Sequence, residues 1–449
     1  MKLLKLGISG VRGIVGETIT PELVINFTSA FGTMLAAGPV LVGRDTRKSG
    51  PMIQEAATAA LLSTGHEVID LGICPTPIIQ YLVKKNRARG AVSITAGHNS
   101  ADWNALNFIN SDGTYLNEFQ GSELLDIYHL NRFSQKSLKK VPRVIHEINP
   151  EEFYFAWLKN KLNLEEISRA RFKVVVDPCN GAGSKFVDQF FDLLGCELVA
   201  VNNDGNGYFP HDPEPRPRNA GEVASLVKAT GSNIGFLLNS DVSRVSLVTE
   251  EGETLSEEYT FPIVASYYLK NHPGPVVTNL STSMMINDVA RKYKVPVIRT
   301  RVGQSAVIQT MIQEGASVAG EGSGGLALRD FHPAFDGFVI MGLVLERMAV
   351  EQKKLSELVK ELPRYHIVKD KIVCPPHRLH TLVAETRKLY PGEEINSADG
   401  LRITRKDVWV HIRASTTEPL IRIIAESSSP NRAQLEVDKV VSFLNRLIG

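Results

Sequence analysis

Long apolar runs are missing from this chain. No stretch approaches the ~20 residues of a membrane-spanning helix, so no membrane span is expected. The opening MKLLKLGISGVRG has neither an apolar core nor a cleavage-site pattern, so no secretory signal is expected either. Cysteine is scarce: Cys74, Cys179, Cys196 and Cys374 are scattered without CxxC spacing. That argues against a disulfide scaffold and fits buried, reduced thiols in a cytoplasmic protein. Net charge is missing as well, since 50 Lys and Arg against 49 Asp and Glu leave +1. Such a balance favours neither nucleic acid nor a membrane surface, and an anionic ligand would need a local site.

What is present is an ordinary globular composition, 43% hydrophobic and 22% charged, in 449 residues. At ~100–200 residues per domain, that length makes three or four domains. One pattern recurs three times. PVLVGRDTR reads as a buried strand, GPMIQEAATAALLSTG as a helix closed by Gly65, and EVIDLG and GAVSITAGHNS as two more strands. The matching pieces of the next unit are FKVVVDPCNGAGS, KFVDQFFDLLG, CELVAVNNDGNG and SNIGFLLNSDVSR; those of the third are GPVVTNLSTS, MMINDVARKY, VPVIRTRVGQ and ASVAGEGSGG. The strands are apolar throughout, as in sheets covered on both faces, and strand–helix–strand order implies right-handed crossovers. From about Arg364 the pattern changes to LRITRKDVWVHIRAS, LIRIIAES and a final helix.

The expected fold is therefore α/β: three related α/β domains with mixed, largely parallel sheets, plus a smaller C-terminal α+β domain, around a central cleft. The expected domains are 1–149, 150–250, 251–363 and 364–449. The Pro-rich GYFPHDPEPRPRN reads as an ordered surface loop. Ligands of open α/β sheets bind beyond the carboxyl ends of the strands, and the third strand of each unit ends in a polar loop.

Those loops carry the candidate chemistry. In RASTTEPLIR, Arg413 and Arg422 flank Ser415, Thr416 and Thr417, and guanidinium forks with hydroxyls suit a phosphate; a solvated turn is the plainer reading. NSDVSR offers a single carboxylate, Asp241, a poor set for Mg²⁺, and a capped turn explains it as well. GEGSGG presents Glu321 and Ser323, a carboxylate and a hydroxyl suited to sugar hydroxyls, or else a tight turn. Arg12 sits among glycines and reads either as an anion contact or as an exposed loop side chain. TAGHNS holds His98, Asn99 and Ser100 with no paired carboxylate or thiol to support nucleophilic catalysis.

Taken in order, GVRG, VGRDTRKSGPM, DLGICPTP, ITAGHN, DPCNGAG, RTRVGQ, GEGSGG, FDGFVIMGLVLE and RASTTEPLIR resemble the α-D-phosphohexomutases over essentially the whole chain. The resemblance implies four domains around a deep cleft. It also implies a phosphoserine that donates its phosphoryl group to a sugar monophosphate, and a Mg²⁺ held by three Asp. This chain departs from it at the transfer positions. Gly97 stands at the phosphoserine position. Asn239 and Ser243 stand where two metal Asp are expected, leaving Asp241. Asn107 replaces a Lys, Gly325 a His and Thr416 a Gly. The recognition positions are kept: Arg12 near the phosphoryl site, Glu321 and Ser323 for the sugar, and Arg413, Ser415, Thr417 and Arg422 for the phosphate.

The reading favoured by this split is a protein that binds a hexose or hexosamine phosphate, with Mg²⁺ weak or absent and the usual mutase chemistry lost. It would act as a sensor, a regulator or the partner of an active mutase paralogue, as a monomer or homodimer. The alternative is a working mutase that phosphorylates His98 or Ser100. A purely structural protein that makes no use of the cleft fits the retained motifs least.

Overall fold

The computed structural model describes residues 4–137, 142–146, 149–415 and 419–448. The chain forms two compact units, Met1–Val264 with Ser323–Val359, and Ala265–Gly322 with Lys360–Gly449. The stretch 251–363, expected as one domain, contributes to both.

In the first unit, strand Val40–Arg44 lies between Val68–Ile73 and Gly90–Ile94, parallel to both. Trp103–Asn110 then adds antiparallel to Gly90–Ile94, and Gly10–Ile14 antiparallel to that. A second sheet repeats the order: Lys173–Asp177 lies between Glu197–Ala200 and Ile234–Leu238, parallel to both, with Val245–Thr249 antiparallel at the edge. In the second unit, Val276–Asn279 lies between Val297–Thr300 and Val318–Glu321, again all parallel. The three repeats read from the sequence thus share one topology, with the first strand central.

One expectation needs correction. The strands are not all apolar-faced and covered. Glu197–Ala200 and Val297–Thr300 are half-exposed, because each is the outermost strand of its sheet and packs on one side only. The central strands Lys173–Asp177 and Ile234–Leu238 carry the burial.

The helices follow the predicted segments: Gly50–Ser63, Val187–Leu194 and Met285–Lys292. Helix Gly337–Glu351 is buried almost throughout. Its start is fixed by Asp336, whose Oδ1 accepts from the amides of Phe338 and Val339 while Oδ2 accepts from the Tyr154 hydroxyl. This satisfies orphan donors of the first turn and neutralises the otherwise costly burial of a carboxylate.

The C-terminal sheet is antiparallel, in the order His366–Val373, Leu420–Ser427, Val408–Ala414, Leu401–Thr404, Ile395–Asn396. The run LRITRKDVWVHIRAS folds as a hairpin turning at 405–407. One face, with Ile412, Ile421, Ile423 and Ala425, packs under helices Leu379–Glu385 and Pro430–Ile448. The four cysteines are buried and unbridged. No helix among the described residues is long and apolar enough to cross a membrane. The Pro-rich loop is pinned: Asn219 Nδ2 donates to the carbonyls of Asp212 and Glu214, and His211 lies 3.1 Å from Asp177.

Candidate functional site

The loop after strand Gly90–Ile94 is shaped by a buried ion pair. Asp45 and Arg47 are each 1% exposed, with Arg47 Nε donating to Asp45 Oδ2 at 3.0 Å. The same carboxylate oxygen accepts from Thr95 and from Ser240. The rest of the Arg47 fork donates to four carbonyls, those of Gly97, Asn99, Ser100 and Trp103. A planar five-donor group can do this where a lysine cannot. The loop backbone is therefore held without help from any side chain at position 97.

Gly97 has φ +55°. A Cβ built there would meet Asp241 Oδ2 at 3.6 Å and Asn239 Nδ2 at 3.7 Å, ordinary contact distances. Position 97 thus faces the 239–243 loop with room for a side chain, but its backbone lies in the left-handed region that glycine prefers. Beside it, Arg12 Nη1 donates to Asn99 Oδ1 at 2.8 Å. Asn107 Nδ2 donates to the carbonyls of Ser93 and Thr95, which commits that amide to the neighbouring strand.

The 239–243 loop is a closed hydrogen-bond network. Asp241 Oδ1 accepts from Asn239 Nδ2 at 2.7 Å, Ser243 Oγ at 2.7 Å and Ser243 N at 3.2 Å. Asp241 Oδ2 accepts from Thr76 Oγ1 at 3.2 Å. The Asn239 amide is oriented by its Oδ1, which accepts from Arg244 N at 3.0 Å, so its NH₂ points at Asp241. Among the described residues, no group of three or more His, Cys, Asp or Glu is placed to hold a metal ion. Mg²⁺ needs anionic oxygen ligands. Here the single carboxylate has three donors on Oδ1 and one on Oδ2, and its neighbour Asn239 presents N–H donors, so the donor set is a poor fit for that ion.

His98 is half-buried. Burial first, then the guanidiniums of Arg244, Arg12, Arg216 and Arg47, push its pKa well below the usual imidazole value, so it is neutral near pH 7. Burial, then Arg244 and Arg47, lower the pKa of Arg12. Burial and Asp241 raise that of Tyr115. Ser100 is exposed and donates to Asp102 Oδ1 at 2.6 Å. The Ser323 hydroxyl is buried with no partner among the described residues. A Cβ on Gly325 would lie 2.4 Å from the Phe335 ring, so a larger residue here needs that ring to move.

The second unit carries the other candidates. Glu321 Oε1 accepts from Asn279 Nδ2 and from Gly303 N, both at 2.8 Å, which fixes the carboxylate at the end of its strand. Arg413 and Arg422 are direct cross-strand partners. Like charges placed opposite each other disfavour a sheet unless an anion lies between them. Arg413 is buried enough for its pKa to be lowered, its Nε has no partner among the described residues, and Asp399 lies 3.8 Å from its Nη1. Ser415 N closes the hairpin onto Leu420 O. Thr416 and Thr417 lie outside the described residues.

The structure thus brings Gly97, His98, Arg12 and Asp241 together in one unit, and Glu321 with Arg413 and Arg422 in the other. Reading the sequence missed Thr76 as a partner of Asp241, Arg244 and Tyr115 as groups whose charge acts on Arg12, and Arg47 as the clamp of the loop. Three of these lie in motifs already singled out, Arg47 in VGRDTRKSGPM, Thr76 in DLGICPTP and Arg244 in NSDVSR, while Tyr115 meets the loop through the fold alone.

Four family models match: Phosphoglucomutase/phosphomannomutase alpha/beta/alpha domain I over residues 3–135, domain II over 152–252, domain III over 256–365 and the C-terminal domain over 348–442. A phosphoglucomutase/phosphomannomutase of Thermococcus kodakarensis is 35% identical over 453 residues, 98% of each chain. A probable phosphoglucosamine mutase of Pyrococcus abyssi is 34% identical over 439 residues, 96% of each chain. The crystal structure of a phosphoglucomutase/phosphomannomutase family protein from Burkholderia thailandensis superposes with TM-score 0.83 at 25% identity, covering 99% of this chain and 97% of that one.

Proposed function

The chain belongs to the phosphoglucomutase/phosphomannomutase family, and on that premise we propose that it binds a hexose or hexosamine phosphate while the phosphoserine- and Mg²⁺-dependent transfer of the family has been given up. The observation that carries this reading is the engagement of Asp241 Oδ1 by donors of its own loop. Two substitutions, Asn239 and Ser243, supply donors that satisfy the remaining carboxylate. Gly97 adds the loss of any oxygen to carry a phosphoryl group. Phosphoryl transfer depends almost wholly on positioning and charge stabilisation, and the substitutions at 97, 239 and 243 weaken both.

Recognition is retained. Arg413 and Arg422 form a paired cationic seat for the phosphate, and Glu321, held by two donors, is positioned to accept from sugar hydroxyls, with Ser323 as a further hydroxyl. Such a protein reports sugar-phosphate levels, or partners an active paralogue, in the cytoplasm as a monomer or homodimer. The alternative, a mutase that phosphorylates His98, has one observation in its favour. The imidazole is held neutral, the form in which a ring nitrogen can act as a nucleophile.

The test incubates the purified protein with glucose 1,6-bisphosphate and Mg²⁺, records intact mass, and assays mutase turnover. An unchanged mass, no turnover and a thermal shift with hexose phosphates are expected. A gain of one phosphoryl group with turnover overturns the reading in favour of His98 or Ser100. A thermal shift that survives Arg413→Ala with Arg422→Ala displaces the phosphate seat.

A further inference from the structure

We propose that Ser281 is an acylation site: its hydroxyl, with His411 as base, takes the acyl group of a small acyl phosphate and releases inorganic phosphate. The choice of a phosphate-bearing donor rests on the phosphate seat at Arg413 proposed above; the reactive pair does not.

The pair follows from one tautomer. His411 is 1% exposed, and its Nε2 lies 2.6 Å from the backbone carbonyl of Asp399. A carbonyl only accepts, so Nε2 carries the hydrogen. Burial lowers the His411 pKa to about 4, with Arg413 and Arg402 acting in the same direction and Asp399 against them. The ring is therefore neutral near pH 7, and Nδ1 keeps a lone pair. Ser281 Oγ lies 2.8 Å from Nδ1 and so donates to it. Nucleophile, base and a third group that orients the base stand within hydrogen-bond reach of one another, the arrangement that activates a serine.

The turn that carries Ser281 is held in place. It follows strand Val276–Asn279 at its carboxyl end, and Ser281 itself is half-buried, which leaves part of it open. Ser281 N donates to Asn279 Oδ1 at 2.7 Å. Arg299 Nη1 donates to the carbonyls of Asn279 and Thr282, and Arg402 Nη1 to that of Leu280. A nucleophile fixed in this way has little freedom left to lose on reaction.

The weakness of the base and the nearby cation select the donor. A base of such low pKa gives little help against an ordinary ester and suits an acyl group whose leaving group departs as a stable anion. Phosphate is such a leaving group. Arg413 stands two residues from His411 on the same face of strand Val408–Ala414, about 7 Å along it. Its Nη1 lies 3.8 Å from Asp399 Oδ2, and its Nε has no partner among the described residues. A guanidinium there takes the phosphate of the donor. In the step, Ser281 Oγ bonds to the acyl carbon, the bond from that carbon to the bridging oxygen breaks, and the Oγ proton passes through His411 Nδ1 to the departing phosphate. Nothing is oxidised or reduced.

The test incubates the full chain with acetyl phosphate, follows intact mass, and maps the acetyl groups by peptide mass spectrometry so that lysines are counted apart. Ser281 should gain one acetyl group, on the order of a hundredfold faster than in His411→Gln. Its rate should be flat between about pH 6 and pH 8, because His411 is already neutral there, whereas an unassisted hydroxyl gains roughly tenfold per pH unit. Arg413→Gln should slow the reaction on the order of tenfold. Inorganic phosphate should protect Ser281 from acetyl phosphate and not from 4-nitrophenyl acetate, which has no phosphate; this comparison uses the parent chain and does not depend on how well a variant folds.

Ser281 left unmodified while lysines are acetylated, a rate there that rises tenfold per pH unit, or equal rates in the parent and a folded His411→Gln each overturns the inference. If hexose phosphates still shift the melt, the sugar-phosphate reading stands without it. Acetylation of Ser281 that phosphate does not slow overturns the acyl phosphate donor, and loss of the hexose phosphate shift as well brings down the seat at Arg413.

Discussion

Asn239→Asp restores one expected metal carboxylate and probes the closed network directly. Asn239 is 1% exposed and Asp241 6% exposed, and the Asn239 amide nitrogen lies 2.7 Å from Asp241 Oδ1. The substitution replaces that donor with a second anionic oxygen at the same place. Two unit charges about 4 Å apart repel by about 4 kcal/mol at an effective dielectric of 20. A lost hydrogen bond to a charged group adds ~1.5–3 kcal/mol. Arg12 and Arg244 offset part of this, so a net destabilisation of about 3–5 kcal/mol is expected at neutral pH, on the order of 10 °C in Tm. The like-charge pair raises the folded-state pKa of one carboxyl above its unfolded value. The destabilisation is therefore fully present at neutral pH and is relieved as pH falls through that raised value towards about pH 5. Mg²⁺ should also rescue the variant, because the pair now offers anionic ligands. Thermal melts at both pH values, with EDTA or Mg²⁺, read all three effects. A variant as stable as the parent, indifferent to pH and to Mg²⁺, would falsify the closed network and with it the main argument for lost metal chemistry.

Arg47→Met should destabilise the first unit by about 3–5 kcal/mol in urea unfolding, because it orphans a buried Asp45 and four loop carbonyls. Gly97→Ser fits the available space but places a side chain at φ +55°, so a loss of about 1–2 kcal/mol is expected, with no mutase activity gained in an enzymatic assay. His411 is buried between Ser281 Oγ and Asp399 O, and burial lowers its pKa to about 4. Its folded value lies below its unfolded one, so the stability it supports is present above pH ~6.5 and is lost as pH falls through about 4. His411→Gln should flatten that part of the stability profile, measured by chemical unfolding.

The domain plan was legible because it is written in local periodicity. Short apolar runs, each followed by an amphipathic helix, recur three times, and the repeats share one strand order. The edge strands Glu197–Ala200 and Val297–Thr300 were misread, since a run of apolar residues does not tell which strand will have a neighbour on one side only. The strand His366–Val373, with its alternation broken by exposed Lys369, Asp370 and Lys371, gave no usable pattern. The cross-strand placement of Arg413 opposite Arg422 follows from the few residues between the two strands, so the pairing of these arginines was half visible in the sequence.

By itself the sequence determined which chemical groups are present: no side chain at position 97, one carboxylate in the 239–243 loop, and the Arg413, Arg422, Glu321 and Ser323 side chains that the resemblance assigns to recognition. It could not determine what the survivors do. Whether Asp241 is a weakened metal ligand or a satisfied acceptor depends on where the Asn239 amide points, and Arg244 N decides that. Whether Asn107 acts on a ligand depends on the neighbouring carbonyls that hold it. Hydrogen-bond partnership and uncompensated charge are properties of groups brought together from distant parts of the chain. Only the tertiary structure brings Arg12 onto Asn99 and turns Asp241 and Asn239 towards position 97.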